Sequence, residues 1–482
     1  MEDNFYNPSM TSSAGFRFSR KVLGPWTLIV LFLFNSCASF RMPSVPGITP
    51  PGEDEEVKIS REFRREARKQ LKFVSNLEVQ RYVENVGRRL LSVMGPQQFN
   101  YRYFVIEESE LNAFSVPGGS IYLYTGLLDR MRSTDELASV MAHETIHAKN
   151  HHMVRMSGLD PVSILGILGA VAAARSGAGS QAALMVGEGI SAARQIGYTR
   201  QLEMEADTLG LKYMAEAGYD PQAMLGFQKT MLKEQTLSPI DVPRYLLDHP
   251  LTQDRIANVE LMIRSMKPSE AVAEGPDPIK KIQTLVRIET NKADAVIAEQ
   301  KQIISQAPKN SEPYQLLGIA YFSKGMWQEA RENLERARAL NPQSPGIDWD
   351  LGRLYTRLKN YSSAHAAFDR ALARRSDEAL TDVYLGELYE QESDLRGAAG
   401  AYLNASNLAP LWDKPVHQLG LVYGKLNRLG DAYYYLGKSL VLEDEDEKAI
   451  PNYEKAIKIS GENSPRAQVI KEELKIVKAR KK

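Results

Sequence analysis

Four positions recur every 34 residues through the C-terminal part of the chain. Glycine stands at Gly318, Gly352, Gly386 and Gly420, and tyrosine three residues later at Tyr321, Tyr355, Tyr389 and Tyr423. Alanine follows at Ala330, Ala364, Ala398 and Ala432, then a small residue at Ala337, Ala371, Ala405 and Ser439. A fixed period of this length marks a unit that cannot bury its own apolar face and must stack on its neighbours. Within a unit, Leu317-Gly318 with Tyr321 belongs to one helix and Ala330 with Ala337 to the next. Small residues are needed where the two helices approach, and Tyr and Leu fill the gap beside them. A degenerate unit precedes these, with a helix over 293–306 ending before Pro308. A further helix is expected over 449–457, and Pro465 to Lys481 reads as the polar capping helix that a solenoid end requires. The acidic run Glu443-Asp444-Glu445-Asp446-Glu447 reads as a solvated helix start.

This register resembles the tetratricopeptide repeat. The resemblance implies an all-α solenoid over residues 276–482 with a groove for peptide or protein binding.

At 482 residues the chain has room for more than the solenoid, since domains run to roughly 150 residues. Lys+Arg and Asp+Glu number 60 each, so the basic excess of a nucleic-acid protein is missing and no nucleic-acid partner is expected. A mean hydropathy of −0.35 excludes a polytopic membrane protein. The N-terminus has the layout of an export signal over residues 1–36. Arg17, Arg20 and Lys21 precede an apolar stretch from Val22 to Phe34, too short for a span of roughly 20 residues. The chain's single cysteine, Cys37, follows Ser36 at the end of that stretch and resembles a bacterial lipobox, with Phe34 where Leu is usual. That resemblance implies lipidation of Cys37, a membrane surface as partner, and a place on the periplasmic side of the cell envelope, at the outer membrane if the cell has one. Residues 37–56 hold four prolines and the run Glu53-Asp54-Glu55-Glu56 and read as a flexible tether.

The segment Met141-Ala142-His143-Glu144-Thr145-Ile146-His147 carries the chemistry. Ser133 with Glu136 forms a capping box that starts a helix, and Leu137, Val140 and Met141 follow helical spacing. His143 and His147 then lie one above the other on one face and can bind one zinc ion, with Glu144 within reach of a water. A catalytic zinc takes three protein ligands. His151, four residues beyond His147, lies too far along a straight helix to close a tetrahedron. Glu203 is the better third ligand. Asp207, one turn on, can accept the free ring N–H of a ligating histidine, while Glu205 points elsewhere.

With Asn112-Ala113-Phe114-Ser115-Val116-Pro117-Gly118-Gly119-Ser120-Ile121-Tyr122 upstream, Thr125-Gly126-Leu127-Leu128 after it, and Ala217-Gly218-Tyr219-Asp220-Pro221 beyond Glu203, the segment from Val57 to Met266 resembles the family of HtpX, BepA and the CAAX prenyl endopeptidases. The order of signal segment, peptidase domain and repeats is most similar to the BepA type. The resemblance implies one Zn2+ per chain on His143, His147 and Glu203, with Glu144 as base. It implies a mainly α chain: an α+β gluzincin metallopeptidase domain with a small sheet over 57–270, followed by the all-α solenoid.

Strands are expected over 101–107 and 120–124, rich in Val, Ile, Tyr and Phe. Gly118 and Gly119 would let Ser120, Ile121 and Tyr122 form an exposed edge on which an extended substrate pairs. The apolar stretches 161–174 and 182–190 read as small-residue helices or mobile loops over the cleft. His249 and Arg255 are the available oxyanion groups. Family members carry His-Pro and an Arg at this spacing, which gives His249 a second possible role as a cap on the open zinc position. The expected function is a zinc metalloendopeptidase of the bacterial cell envelope. The resemblance supplies its partners: unfolded or extended protein substrates, and envelope assembly machinery through the repeats. The rival is a chaperone or assembly scaffold with a structural or latent zinc, against which the presence of Glu144 counts.

Overall fold

The computed structural model describes residues 53–157, 200–237, 243–266, 277–374 and 377–480, all within one compact unit. The export signal, Cys37, most of the tether and the stretches 161–174 and 182–190 lie outside the described residues. No helix among the described residues is long and apolar enough to cross a membrane.

The first described helix, α1, spans Glu53–Gln70. It corrects the tether expectation: Glu53-Asp54-Glu55-Glu56 is its first turn. Four acidic residues read as a disordered run in sequence, yet they are favoured where unpaired N–H groups open a helix. Ile59, Phe63 and Ala67, spaced by four, are buried and form a core with the sheet.

That sheet has three strands: β1 Arg102–Ile106, β2 Ala113–Val116 and β3 Ser120–Tyr124, in the order β1-β3-β2. β3 is parallel to β1 and antiparallel to β2. Phe104, Tyr122 and Phe114 stand in register, with ring centroids 5.1 and 5.0 Å apart in stacked pairs. The edge expected at Ser120, Ile121 and Tyr122 is therefore the central strand. Among the described residues the free edge beside the HExxH helix is β2, which carries Ala113 to Val116. Gly118 and Gly119 make the turn between them at φ +83° and +91°. A Cβ on Gly118 would stand 2.3 Å from the Glu56 carbonyl oxygen, so the turn also seats α1.

Helix α2, Leu77–Leu91, is opened by Asn76, whose side chain accepts from Glu78 N and Val79 N. After the short helix α3 (Thr125–Arg130) comes α4, Thr134–Lys149, buried on all sides from Glu136 to Ala148. Helices Arg200–Glu216 and Gln222–Leu237 pack against it in one core. Helix Ile279–Glu289 belongs to that core as well, through Ile279, Ile282, Leu285 and Val286. Residues read from sequence as the start of the solenoid thus complete the neighbouring domain.

Beyond it, helical pairs follow the 34-residue register from Ser311 to Leu442. The repeated glycine is required by contact: a Cβ on Gly318, Gly352, Gly386 or Gly420 would fall 2.5–2.9 Å from Leu334, Phe368, Tyr402 or Leu436. Helices Ala293–Gln306, Asp446–Ser460 and Pro465–Ala479 flank the four repeats. The repeats meet the first domain along α2. Glu78 is ion-paired with Arg353 at 3.1 Å, and Arg81 with Asp377 at 3.0 Å.

The acidic run at 443–447 does open a helix, Asp446–Ser460, but it is not solvated. Asp444 and Asp446 are buried. Arg64 grips Asp444 with two bonds of 2.7 and 2.8 Å, Arg61 reaches Asp446, and Arg68 reaches the Glu443 carbonyl. Burial by itself would raise the Asp444 carboxyl, but Arg64, Arg102 and Arg68 outweigh it and hold it below the usual carboxylate range. A group depressed in this way stabilises the fold above its unfolded pKa, and that contribution is lost as pH falls through the folded value. Asp444→Asn is therefore expected to cost roughly 3 kcal/mol in urea unfolding at pH 7, as for a buried pair that loses one partner. The difference from the parent should shrink below about pH 4.

Candidate active site

Helix α4 positions the motif residues, and its start is set locally. Ser133 Oγ accepts from Glu136 N at 3.2 Å, as a capping box requires. The Glu136 carboxylate takes Arg132 N and Nε, both at 2.7 Å, so the reciprocal bond falls one residue before the cap. One turn apart on this helix, His143 and His147 bring their Nε2 atoms within 2.9 Å of each other.

The helix Arg200–Glu216 crosses α4 and presents Glu203 and Asp207 from one face. Glu203 Oε2 lies 3.5 Å from His143 Nε2, and its Oε1 lies 3.4 Å from His147 Nε2. His249, at the end of the short helix Arg244–Asp248, places Nδ1 3.0 Å from Glu203 Oε1 and 3.3 Å from His143 Nε2. One donor atom from each of His143, His147, Glu203 and His249 lies within 4.8 Å of the other three, and all four residues are buried.

Asp207 Oδ1 stands 3.0 Å from His143 Nδ1. It therefore accepts the ring proton and leaves a lone pair on His143 Nε2. That lone pair faces the His147 Nε2 at 2.9 Å beside the buried Glu203 carboxylate, a convergence of donor atoms that suits a cation. The donor set, two or three imidazoles and one carboxylate, is one that zinc takes. Burial opposes ionisation of Glu203 and Asp207. His249 and His143 nevertheless hold Glu203 well below the usual range, and Arg255 with His143 holds Asp207 below it.

Glu144 is fully buried, and neither of its carboxylate oxygens has a hydrogen-bond partner among the described residues. His249 Nε2 is 3.3 Å from its Oε1. Burial raises the Glu144 carboxyl above its usual range, and the nearby His249 and His143 offset this only in part.

One expectation needs correction, and the exclusion of His151 rests on a different ground. Arg255, read as an oxyanion group, is committed elsewhere. It donates Nε and Nη2 to Asp207 at 2.7 and 2.9 Å, and Nη1 to the Pro250 carbonyl at 2.9 Å, with Glu203 Oε2 at 2.6 Å from Nη1. It holds the two carboxylates in place, which a guanidinium fork does well. His151 does not follow His147 along a helix. α4 ends at Lys149, and His151 adopts φ +54° with its Nδ1 2.7 Å from Glu56 Oε1.

Sequence reasoning missed His152 and Tyr245. The Tyr245 ring centroid lies 4.9 Å from that of His249. His152 sits five residues after His147, off the helical period, and returns toward it only because of the turn at His151. The tandem His151-His152 was the available signal. No spacing singled out Tyr245.

Comparison with known proteins agrees with this arrangement. The profile of peptidase family M48 matches residues 77–263, the stretch that carries all four cluster residues. Residues 77–263 are an M48 peptidase domain. A tetratricopeptide repeat profile matches 321–382, and one for an Est1 DNA/RNA binding domain matches 398–464, which here are repeat helices. The chain is 31% identical over 252 residues to the putative beta-barrel assembly-enhancing protease of Vibrio cholerae, covering 51% of each chain. Identity to the beta-barrel assembly-enhancing protease of Escherichia coli is 29% over 237 residues, 48% of each chain. The mitochondrial metalloendopeptidase OMA1 of Schizosaccharomyces pombe is 30% identical over 183 residues, 37% of this chain and 51% of that one. The chain thus spans about half the length of the curated relatives it matches.

Proposed function

We propose that this chain is a zinc-dependent endopeptidase of the cell envelope that cleaves unfolded or assembling proteins. One observation carries the catalytic part: a buried Glu144 carboxylate, without a hydrogen bond among the described residues, beside four converging ligand atoms. His143, His147 and Glu203 would hold the metal, which lowers the pKa of a bound water and polarises a carbonyl. Glu144 would take the water's proton and pass it to the leaving amine, a task suited by a carboxyl that burial raises above its usual range. Asp207 and Arg255 keep His143 and Glu203 oriented. The free edge of β2 offers main-chain partners to an extended substrate, which favours unfolded segments over compact ones. The names of the bacterial relatives support an envelope role. The test is incubation of the full chain with an unfolded protein: new internal termini by mass spectrometry are expected, and an intact substrate would overturn the reading.

We also infer that His249 occupies the fourth ligand position and keeps the enzyme latent. Its Nδ1 lies within the cluster and not beside it. His249→Ala is then expected to raise basal cleavage. A fall in kcat of about 10²-fold with metal retained would instead assign it to the oxyanion.

Cys37, followed by the proline-rich segment, is proposed as the lipid anchor. Cys37→Ser should release the protein from membranes in a fractionation experiment. A mature N-terminus elsewhere, by mass spectrometry, would refute lipidation.

A further inference from the structure

The two ligand histidines of α4 have different outer partners. His143 has the Asp207 carboxylate. His147 has an imidazole: its Nδ1 lies 3.0 Å from Nδ1 of His152, a residue that is fully buried. Taking the cluster as the metal site proposed above, we propose that His152 is a positioning residue for His147. Its Nδ1 accepts the His147 Nδ1–H and so fixes the tautomer that turns the His147 Nε2 lone pair to the metal.

The assignment follows from proton accounting. His147 Nε2 lies in the cluster, 2.9 Å from His143 Nε2 and 3.4 Å from Glu203 Oε1. A ligating nitrogen carries no proton, so in the neutral ring the proton sits on Nδ1. Two Nδ1 atoms at 3.0 Å need one donor and one acceptor, which leaves the His152 proton on Nε2. That Nε2 is buried without a hydrogen bond among the described residues and faces Glu205 Oε2 at 3.6 Å. Asn150 Nδ2 donates to the other Glu205 oxygen at 2.7 Å, so the carboxylate is itself held.

A neutral acceptor suits this side of the site. Glu144, Glu203 and Asp207 are already buried there, and a further buried carboxylate on His147 would add repulsion without a cation to match it. The turn that delivers His152 is the positive φ at His151, directly after α4 ends. Glu205 thus acts two steps back, through His152, and not as a ligand.

The experiment measures zinc affinity of the full chain by competition with a chromogenic chelator, alongside thermal unfolding without metal. His152→Leu keeps an apolar filling but removes the acceptor. It is expected to bind zinc about 10–100-fold more weakly, the usual cost of losing an outer partner. His152→Asn, whose side-chain carbonyl can accept, should recover most of the affinity. Wild-type affinity in His152→Leu, or equal losses in both variants with folding intact, would overturn the proposal. If His152→Leu does not fold, Glu205→Ala decides: a several-fold loss of affinity supports the relay, and no change overturns it. A parent chain that binds no zinc would refute the metal site itself.

Discussion

Glu203→Ala is expected to abolish metal binding and peptide cleavage together. Glu203 is the single carboxylate among the four cluster residues, and both of its oxygens face ligand nitrogens within 3.5 Å. Without it the histidines lose the one carboxylate that lies among their converging nitrogens, and Arg255 loses the partner 2.6 Å from its Nη1. Glu205→Ala, two residues on in the same pattern of alternate acids, should retain stoichiometric zinc when the metal is saturating. Metal content by mass spectrometry separates the two variants. Loss of metal in Glu205→Ala but not in Glu203→Ala would mean that the ligand has been placed on the wrong face of the helix.

Glu144→Gln should have the opposite signature. No ligand atom changes, so zinc stays bound, while turnover falls by about 10²–10⁴-fold for want of a proton acceptor. A further consequence follows from burial. The Glu144 carboxylate is fully buried, and neither oxygen is hydrogen-bonded among the described residues. A neutral amide of the same shape relieves that cost, so the metal-free variant should unfold at the same temperature as the parent or a higher one. Undiminished turnover with zinc bound would remove Glu144 from the chemistry.

How far sequence carried depended on whether a feature is local. The 34-residue register and the helix at 293–306 are written in nearby residues and appear as read. So is the start of α4, because a cap and an i, i+4 histidine pair need only one helix. The strand order was not legible. Which of two short apolar segments ends at the edge depends on pairing between residues far apart, and β3 proved central. The two acidic runs failed for a related reason. Glu53 to Glu56 open a helix, and Asp444 is buried by arginines some 380 positions away, where only the fold supplies the counter-charge. Arg255 was legible as a site residue but not in its role, since its fork is filled by Asp207 and Glu203. His152 was hidden by a positive φ at His151, which breaks the helical period on which the reading relied.

The most direct test of the central claim is a metal titration of cleavage. The full chain is stripped with a chelator, the chelator is removed, and cleavage of an unfolded protein is followed as zinc is added back. Activity should vanish on stripping and return in proportion to zinc up to one equivalent per chain. Cleavage that survives complete removal of metal, or that zinc does not restore to a correctly folded chain, would contradict the account.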